Sequence, residues 1–486
     1  MDVLERGAPR IRGARCSRTA FARRSVVTRG VRLPASEEFD MTRQKHLKQL
    51  VRARMEKTGE RYATARRHVV RDASPPGAET VRSELHFTGN VPAATALRTL
   101  LGAAGIRAPH SNAPFSEAML FGIAGGIGIG VFSFLYEKQN FASFYVAARH
   151  DWADDVRYLT DGAVALGADV FVAEGAKNAS QLIARALGDR HPVIVWVDAA
   201  SLPYKAMPAF YSGMASHLIV LHSVDDASGI ARVADLSDEL IELPLDILTA
   251  ARTRVKKDKQ RVLALRATRQ PPSLDALVRR GLEECRDGLL GAKAVGNART
   301  NFSLEALRVW GNRLSGSRDK DSWERIFTPG ARLWRGLTSI TEYVEHYGTG
   351  GGLSRPLFAE FLEEAADALG WTPLRPLAAR YAELGRQWTD LADAALPDDV
   401  PAMREAKDLL ARRSELLHSD GAGATAAVRA TWQRLDELAK AADENFPLSV
   451  DAARDLRADL QRRVLALHAA EVEAHEELSA VLGNRE

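Results

Sequence analysis

Residues Asn90–Gly130 read NVPAATALRTLLGAAGIRAPHSNAPFSEAMLFGIAGGIGIG. A small-residue helix, expected over Ala93–Ala104, leads to a second over Phe115–Gly122. The second ends in a loop of alternating Gly and Ile. Ile127 and Ile129 can pack inward, while Gly125, Gly126, Gly128 and Gly130 permit turns and close approaches that a Cβ would block. The loop lacks the G-x-G-x-x-G register and a following Gly-Lys-Ser/Thr, so neither a dinucleotide nor a nucleoside triphosphate is implied. Two readings stay open: amides lining a pocket at Gly125, Gly126 and Gly128, or a tight packing turn.

Outward from this stretch, Trp152–Leu166 and Ser180–Leu187 carry helical patterns. Strands are expected at Asp169–Ala173, Val193–Asp198, His217–Val224, Ala231–Ala234 and Arg261–Leu265. The run His217–Val224 is apolar at both parities, as in a strand covered on both faces. Asp225-Asp226-Ala227-Ser228-Gly229 then turns the chain into a hairpin. After Pro271-Pro272 the pattern changes to long helices rich in Ala, Leu, Glu and Arg, from Ser273–Leu290 to Val450–Leu482, and this region is expected to form its own core.

Read together, these segments resemble the N-terminal domain of the butirosin-biosynthesis acyltransferase (BtrH) family. His217 in SHLIVLHSVDD and Asp235 in ARVADLS stand where that family's GGH-apolar-GYD and ADP motifs would sit. EHYGTGGGLSRPLFAEFLEEAA (Glu345–Ala366) and RQWTDLADAAL (Arg386–Leu396) resemble the uncharacterised helical domain that usually follows. The resemblance implies an α/β (α+β) papain-like cysteine-peptidase-type domain at 81–268 and an all-α helical domain at 273–486. It also implies acyl transfer, with acyl carrier protein or a small-molecule amine as partner. One departure matters: where the family commonly carries a His-Cys pair at the start of the first helix, this chain has Val91 and Pro92. His217 and Asp235 are then a remnant catalytic pair without a thiol. The chain is expected to be a ligand- or partner-binding protein. The alternative is an active acyltransferase or amide hydrolase whose substrate supplies the nucleophile.

The residues themselves bear on these readings. Asn90 is suited to cap the first helix and Pro92 to its first turn. Thr95 and Thr99 lie deeper, where a hydroxyl serves a backbone carbonyl. In a hairpin, His217 and Asp235 fall within about three positions of facing each other across strands. His222 lies on the opposite strand face. Glu117, polar on an apolar helix, either orients His217 or faces solvent. Gly350 and Gly351 precede a helix that Arg355 begins, an arrangement that either holds an anion or makes an interhelical turn. His468, Glu471 and His475 share a helical face, but no metal site or cofactor is expected.

Composition limits the remaining classes. The net charge of +3 hides a basic segment: residues 1–71 carry 19 Lys+Arg against 7 Asp+Glu, leaving a balance of −9 in the rest. Ten of these basic residues lie between Arg43 and Arg71. A nucleic-acid-associated protein is the third reading, although no aromatic platform or reading motif accompanies the charge, and nucleic acid is not the expected partner. Residues 1–40 are expected to be disordered or a mis-annotated start, and 41–80 a basic helical segment and linker. Only Cys16 and Cys285 occur, which excludes a disulfide framework and suits a reducing cytoplasm. No apolar run approaches the roughly 20 residues that span a bilayer. Oligomeric state is not legible.

Overall fold

The computed structural model describes Ala53 and residues 88–139, 141–149, 155–237, 239–267, 272–291 and 300–483. The expected start at 1–40, the basic segment and linker at 41–80 apart from Ala53, and residues 268–271 lie outside these described residues. From Thr88 onward two helices come first, α1 (Pro92–Ala103) and α2 (Glu117–Ile123). They are followed by a two-stranded hairpin, β1 (Gly130–Tyr136) and β2 (Phe141–Ala147). Then come α3 (Asp155–Ala165), β3 (Ala168–Ala173), α4 (Ala176–Gly188), β4 (Val193–Asp198), β5 (Ser216–Asp225), β6 (Ile230–Ala234), β7 (Ile241–Pro244), α5 (Leu245–Arg254) and β8 (Val262–Ala267). The main sheet has the order β3-β8-β4-β5-β6-β7, with all neighbours antiparallel.

Strand alternation divides the sheet's two faces. Ile194, Trp196, Leu218 and Val220 enter the core that contains α1, while Val195, Val197, Ile219 and Leu221 enter a second core with α4 and α5. Both parities of β5 are therefore buried, as its apolar run implies. A register shift between Leu221 and Ser223 places a bulge at His222.

The helical part contains α6 (Leu274–Leu289), α7 (Leu304–Leu314), α8 (Trp323–Ile326), α9 (Ala331–Thr341), α10 (Arg355–Leu369), α11 (Leu374–Ala395), α12 (Pro401–Ser419), α13 (Thr425–Glu444) and α14 (Val450–Gly483). Helix α9 ends at Thr341 and the chain continues as a π-helical turn over Glu342–His346. A separate core for this part is not what forms. One continuous apolar cluster runs from α1 and α2 through the helices. Phe144 of β2 packs on Trp310 (5.0 Å between centroids) and Trp323 (5.2 Å). At Gly122 a Cβ would lie 2.2 Å from the Phe361 ring, so α10 crosses α2 at a distance only glycine allows.

The hairpin β1–β2, strand β7 and helix α5 were not read from the sequence. VFSFLY and FASFYVA do carry the aromatic and β-branched enrichment of strands.

Candidate functional site

Strand pairing brings His217 and Asp235 together. Val220 faces Ala234, so Asp235 stands opposite Ile219 and diagonal to His217. His217 Nε2 lies 2.9 Å from Asp235 Oδ1. An ionised carboxylate only accepts, so Nε2 carries a hydrogen in either charge state of the ring. Immediately after Asp235 the chain turns sharply. Leu236 stands at φ +58°, Ser237 N–H donates to the Asp235 carbonyl (2.7 Å), and Leu236 forms a parallel bridge with Thr88. That bridge lays the segment leading into α1 beside Asp235.

Two further residues complete the network, and the sequence reading missed both. Lys205 Nζ lies 2.8 Å from Asp235 Oδ2, and the Tyr204 hydroxyl donates to the same oxygen at 2.8 Å. They sit in a 3-10 turn, Pro203–Lys205, between β4 and β5. No spacing links such a turn to a strand end thirty residues on. Burial by itself would raise the Asp235 carboxyl, but the charges and hydrogen bonds of His217 and Lys205 outweigh it and hold the carboxyl far below the usual carboxylate range. Burial, and next the Asp235 charge, push the Tyr204 phenol well above its ordinary value. The helical part grips this turn, since Trp432 Nε1–H donates to the Lys205 carbonyl (3.2 Å). Arg413 in turn stacks on Trp432 at 3.9 Å and pairs with Glu342.

The start of α1 is closed. Val91, not Asn90, occupies the N-cap, and its side chain makes no capping bond. Glu117 does that work instead: its Oε1 accepts the amides of Asn90 (2.7 Å) and Val91 (2.7 Å) and the Thr95 hydroxyl (3.3 Å). Glu117 is buried, so it neither faces solvent nor bonds His217. Thr99 serves the Thr95 carbonyl, as expected.

The Gly348–Gly352 loop lies over the same helix start. A Cβ on Gly350, at φ +72°, would come within 2.8 Å of Asn90 Cβ, and one on Gly348 within 3.3 Å of Pro92 Cδ. Between α1 and the strands is a cavity of about 10 Å³, lined by Pro92, Thr95 and Asp235 among others. That is room for roughly one water. His217 pairs directly with Val197 and so extends on the sheet face away from α1.

The remaining candidates have packing roles. A Cβ at Gly125 would lie 2.7 Å from Glu284 Cβ, and one at Gly126 2.3 Å from the Phe121 carbonyl. Gly128 donates to Ala148 (2.6 Å) and accepts from Arg355 (3.1 Å). Gly351 faces the Glu345 carboxylate, 3.2 Å from where its Cβ would be. Arg355 is fully buried, with Nε on Glu471 (2.7 Å), Nη1 on the Leu353 carbonyl and Nη2 on Gly128. Its donors point into the protein, so an anion at this helix start has no guanidinium to meet. Glu471 also accepts from Trp388 Nε1 (2.8 Å), which removes it from any site with His468 and His475. Among the described residues no group of His, Cys, Asp and Glu could hold a metal ion.

A His held by a buried Asp at the end of an antiparallel sheet is an arrangement that acyl-transfer enzymes use to orient a general base. The family agrees: residues 92–236 match Butirosin biosynthesis protein H, N-terminal, and residues 246–419 match a domain of unknown function (DUF4872). The chain thus carries a BtrH N-terminal domain followed by this second domain. The second match begins inside the sheet region. It includes β8, which pairs between β3 and β4, so the two matched regions share one sheet. No curated protein matches the chain. No helix among the described residues is long and apolar enough to cross a membrane.

Proposed function

We propose that this protein is a papain-like, acyltransferase-related protein that binds a ligand or partner without covalent thiol chemistry. One observation carries the reading: the helix start where a nucleophile would sit is occupied. Val91 and Pro92 offer no thiol, the amides of Asn90 and Val91 bond the Glu117 carboxylate, and Gly348 and Gly350 pack against Pro92 and Asn90. An oxyanion needs free donors at that place, and a thiolate needs a helix terminus without a carboxylate on it. Helices before an antiparallel sheet, with the His at the head of a strand, support the papain-like assignment. Cys285 is buried and forms no disulfide among the described residues, which suits a reducing cytoplasm.

Acyl carrier protein or a small-molecule amine is the partner class the family suggests. Incubation with acyl thioesters followed by intact-mass analysis tests the reading. No adduct should form, and Cys285→Ala should leave any activity unchanged. A Cys-linked or His-linked acyl adduct would overturn it.

The second reading, an active acyltransferase or amide hydrolase with a nucleophilic substrate, is favoured by the orientation of His217: Asp235 accepts from Nε2–H, so that in the neutral ring Nδ1 is the nitrogen that would take a proton. Turnover of an acyl thioester with an amine that vanishes in His217→Ala, without loss of folding, would establish it.

A further inference from the structure

We propose that the protein holds a second ligand site, built from other residues than the His217–Asp235 pair, that takes a small molecule carrying a carboxylate or phosphate group on an aromatic body. The site lies where β2, the Ala209–Tyr211 turn between β4 and β5, helix α9 and the π-helical turn after it come together. Arg335 of α9 joins the first two of these. Its guanidinium stands 4.8 Å from the Phe141 ring centre and 6.0 Å from that of Phe210. Two rings hold the cation in place before any ligand arrives, so little side-chain freedom remains to be lost on binding. Yet this guanidinium makes no hydrogen bond or ion pair among the described residues.

Phenols gather beside it. The Tyr211 hydroxyl lies in the fields of Glu342, Arg413, Arg335 and Tyr145, and the Tyr343 hydroxyl in those of Tyr145, Tyr347, Glu342 and Tyr211, so these polar tips converge. Ring contacts agree, with Tyr145 and Tyr343 at 5.2 Å and Tyr343 and Tyr347 at 5.4 Å. Tyr211 and Tyr343 are half-buried, and neither hydroxyl has a hydrogen-bond partner among the described residues. A half-buried hydroxyl left unspent gives the fold nothing that a phenylalanine would not. Burial, and next Glu342, push the Tyr211 phenol up, while burial and next Tyr145 push the Tyr343 phenol well above its ordinary value. Both stay protonated at neutral pH and can donate. The π-helical turn that presents Glu342 and Tyr343 is a rare form, kept mostly at functional sites.

Charge selects the ligand. Glu342 pairs with Arg413, which is buried and still has Nη1 without a partner. That pair cancels, and the charge of Arg335 is left over. Aromatic rings can also enclose a cationic ligand, but here the protein supplies the cation between Phe141 and Phe210 itself. Guanidinium N–H and phenol O–H groups are donors, the complement of carboxylate or phosphate oxygens, and the surrounding rings suit a flat body.

Isothermal titration calorimetry of the full chain with phenylacetate and with phenyl phosphate tests the proposal, with benzyl alcohol and benzylamine as the neutral and cationic counterparts. At least one anion should bind more tightly than either counterpart, and which one does so tells carboxylate from phosphate. Arg335→Met should weaken that binding by about tenfold or more, because a charge-assisted bond is lost, and Tyr211→Phe by less. Arg232→Met, at an exposed arginine of β6, should leave it unchanged. Absence of binding by both anions up to about 10 mM, tighter binding of benzylamine or benzyl alcohol, or anion binding indifferent to Arg335→Met would overturn the proposal. If Arg335→Met fails to fold, Tyr211→Phe, which removes a single oxygen, decides. None of these outcomes bears on the acyl-thioester test, which reads the start of α1.

Discussion

Replacing Glu117 by Ala removes the acceptor that holds the start of α1. Two amides, those of Asn90 and Val91, then lose partners at 2.7 Å in a site that is only 9 % exposed at Glu117. Each buried donor left unmade costs about 1–3 kcal/mol, so the pair implies about 2–6 kcal/mol. A second effect adds to it. Burial pushes the Arg98 guanidinium down, while Glu117 and Glu364 hold it up, so removing one carboxylate leaves a buried cation less compensated. Glu117→Gln keeps an oxygen at the accepting position and should cost only about 1 kcal/mol. Urea titration followed by circular dichroism reads the difference, with the slope unchanged if only stability has moved. If Ala and Gln cost the same, or if Ala costs under about 0.5 kcal/mol, Glu117 does not anchor the helix as argued.

Four further outcomes follow from the same geometry. Asp235 has a folded-state pKa depressed below its unfolded value near 3.9, so its stabilisation is complete above about pH 4 and is lost as pH falls toward the folded value. Acid titration of Asp235→Asn should therefore be flatter than wild type below pH 4. Arg355→Met strands the fully buried Glu471 carboxylate and should cost about 3–5 kcal/mol by denaturant titration. A thiol placed by Pro92→Cys should react with acyl thioesters at least tenfold faster when combined with Glu117→Gln, because the neighbouring carboxylate disfavours the thiolate; equal rates would sink that reasoning. For the basic residues 43–71, random duplex DNA should bind no tighter than micromolar at physiological salt, as read by fluorescence anisotropy.

The order of helices and strands was legible because hydrophobic periodicity is local: the double-faced apolar run of His217–Val224 announces a covered strand in any context. The His217–Asp235 contact was legible for a related reason, since a short hairpin leaves few registers for residues 18 apart. Glu117, Lys205, Tyr204 and Arg355 were a different matter. A polar residue on an apolar helix shows only that it needs a partner, and the partners of Glu117 lie 26 and 27 residues away. Those of Arg355 lie 116 and 227 residues away. Such pairings are set by how α2, α10 and α14 pack, and glycines at 122 and 350 determine how near the elements come. The local pattern thus determined which residues are buried together within each element. Tertiary packing decided which buried polar group meets which, and so closed the start of α1 where the sequence alone left it open.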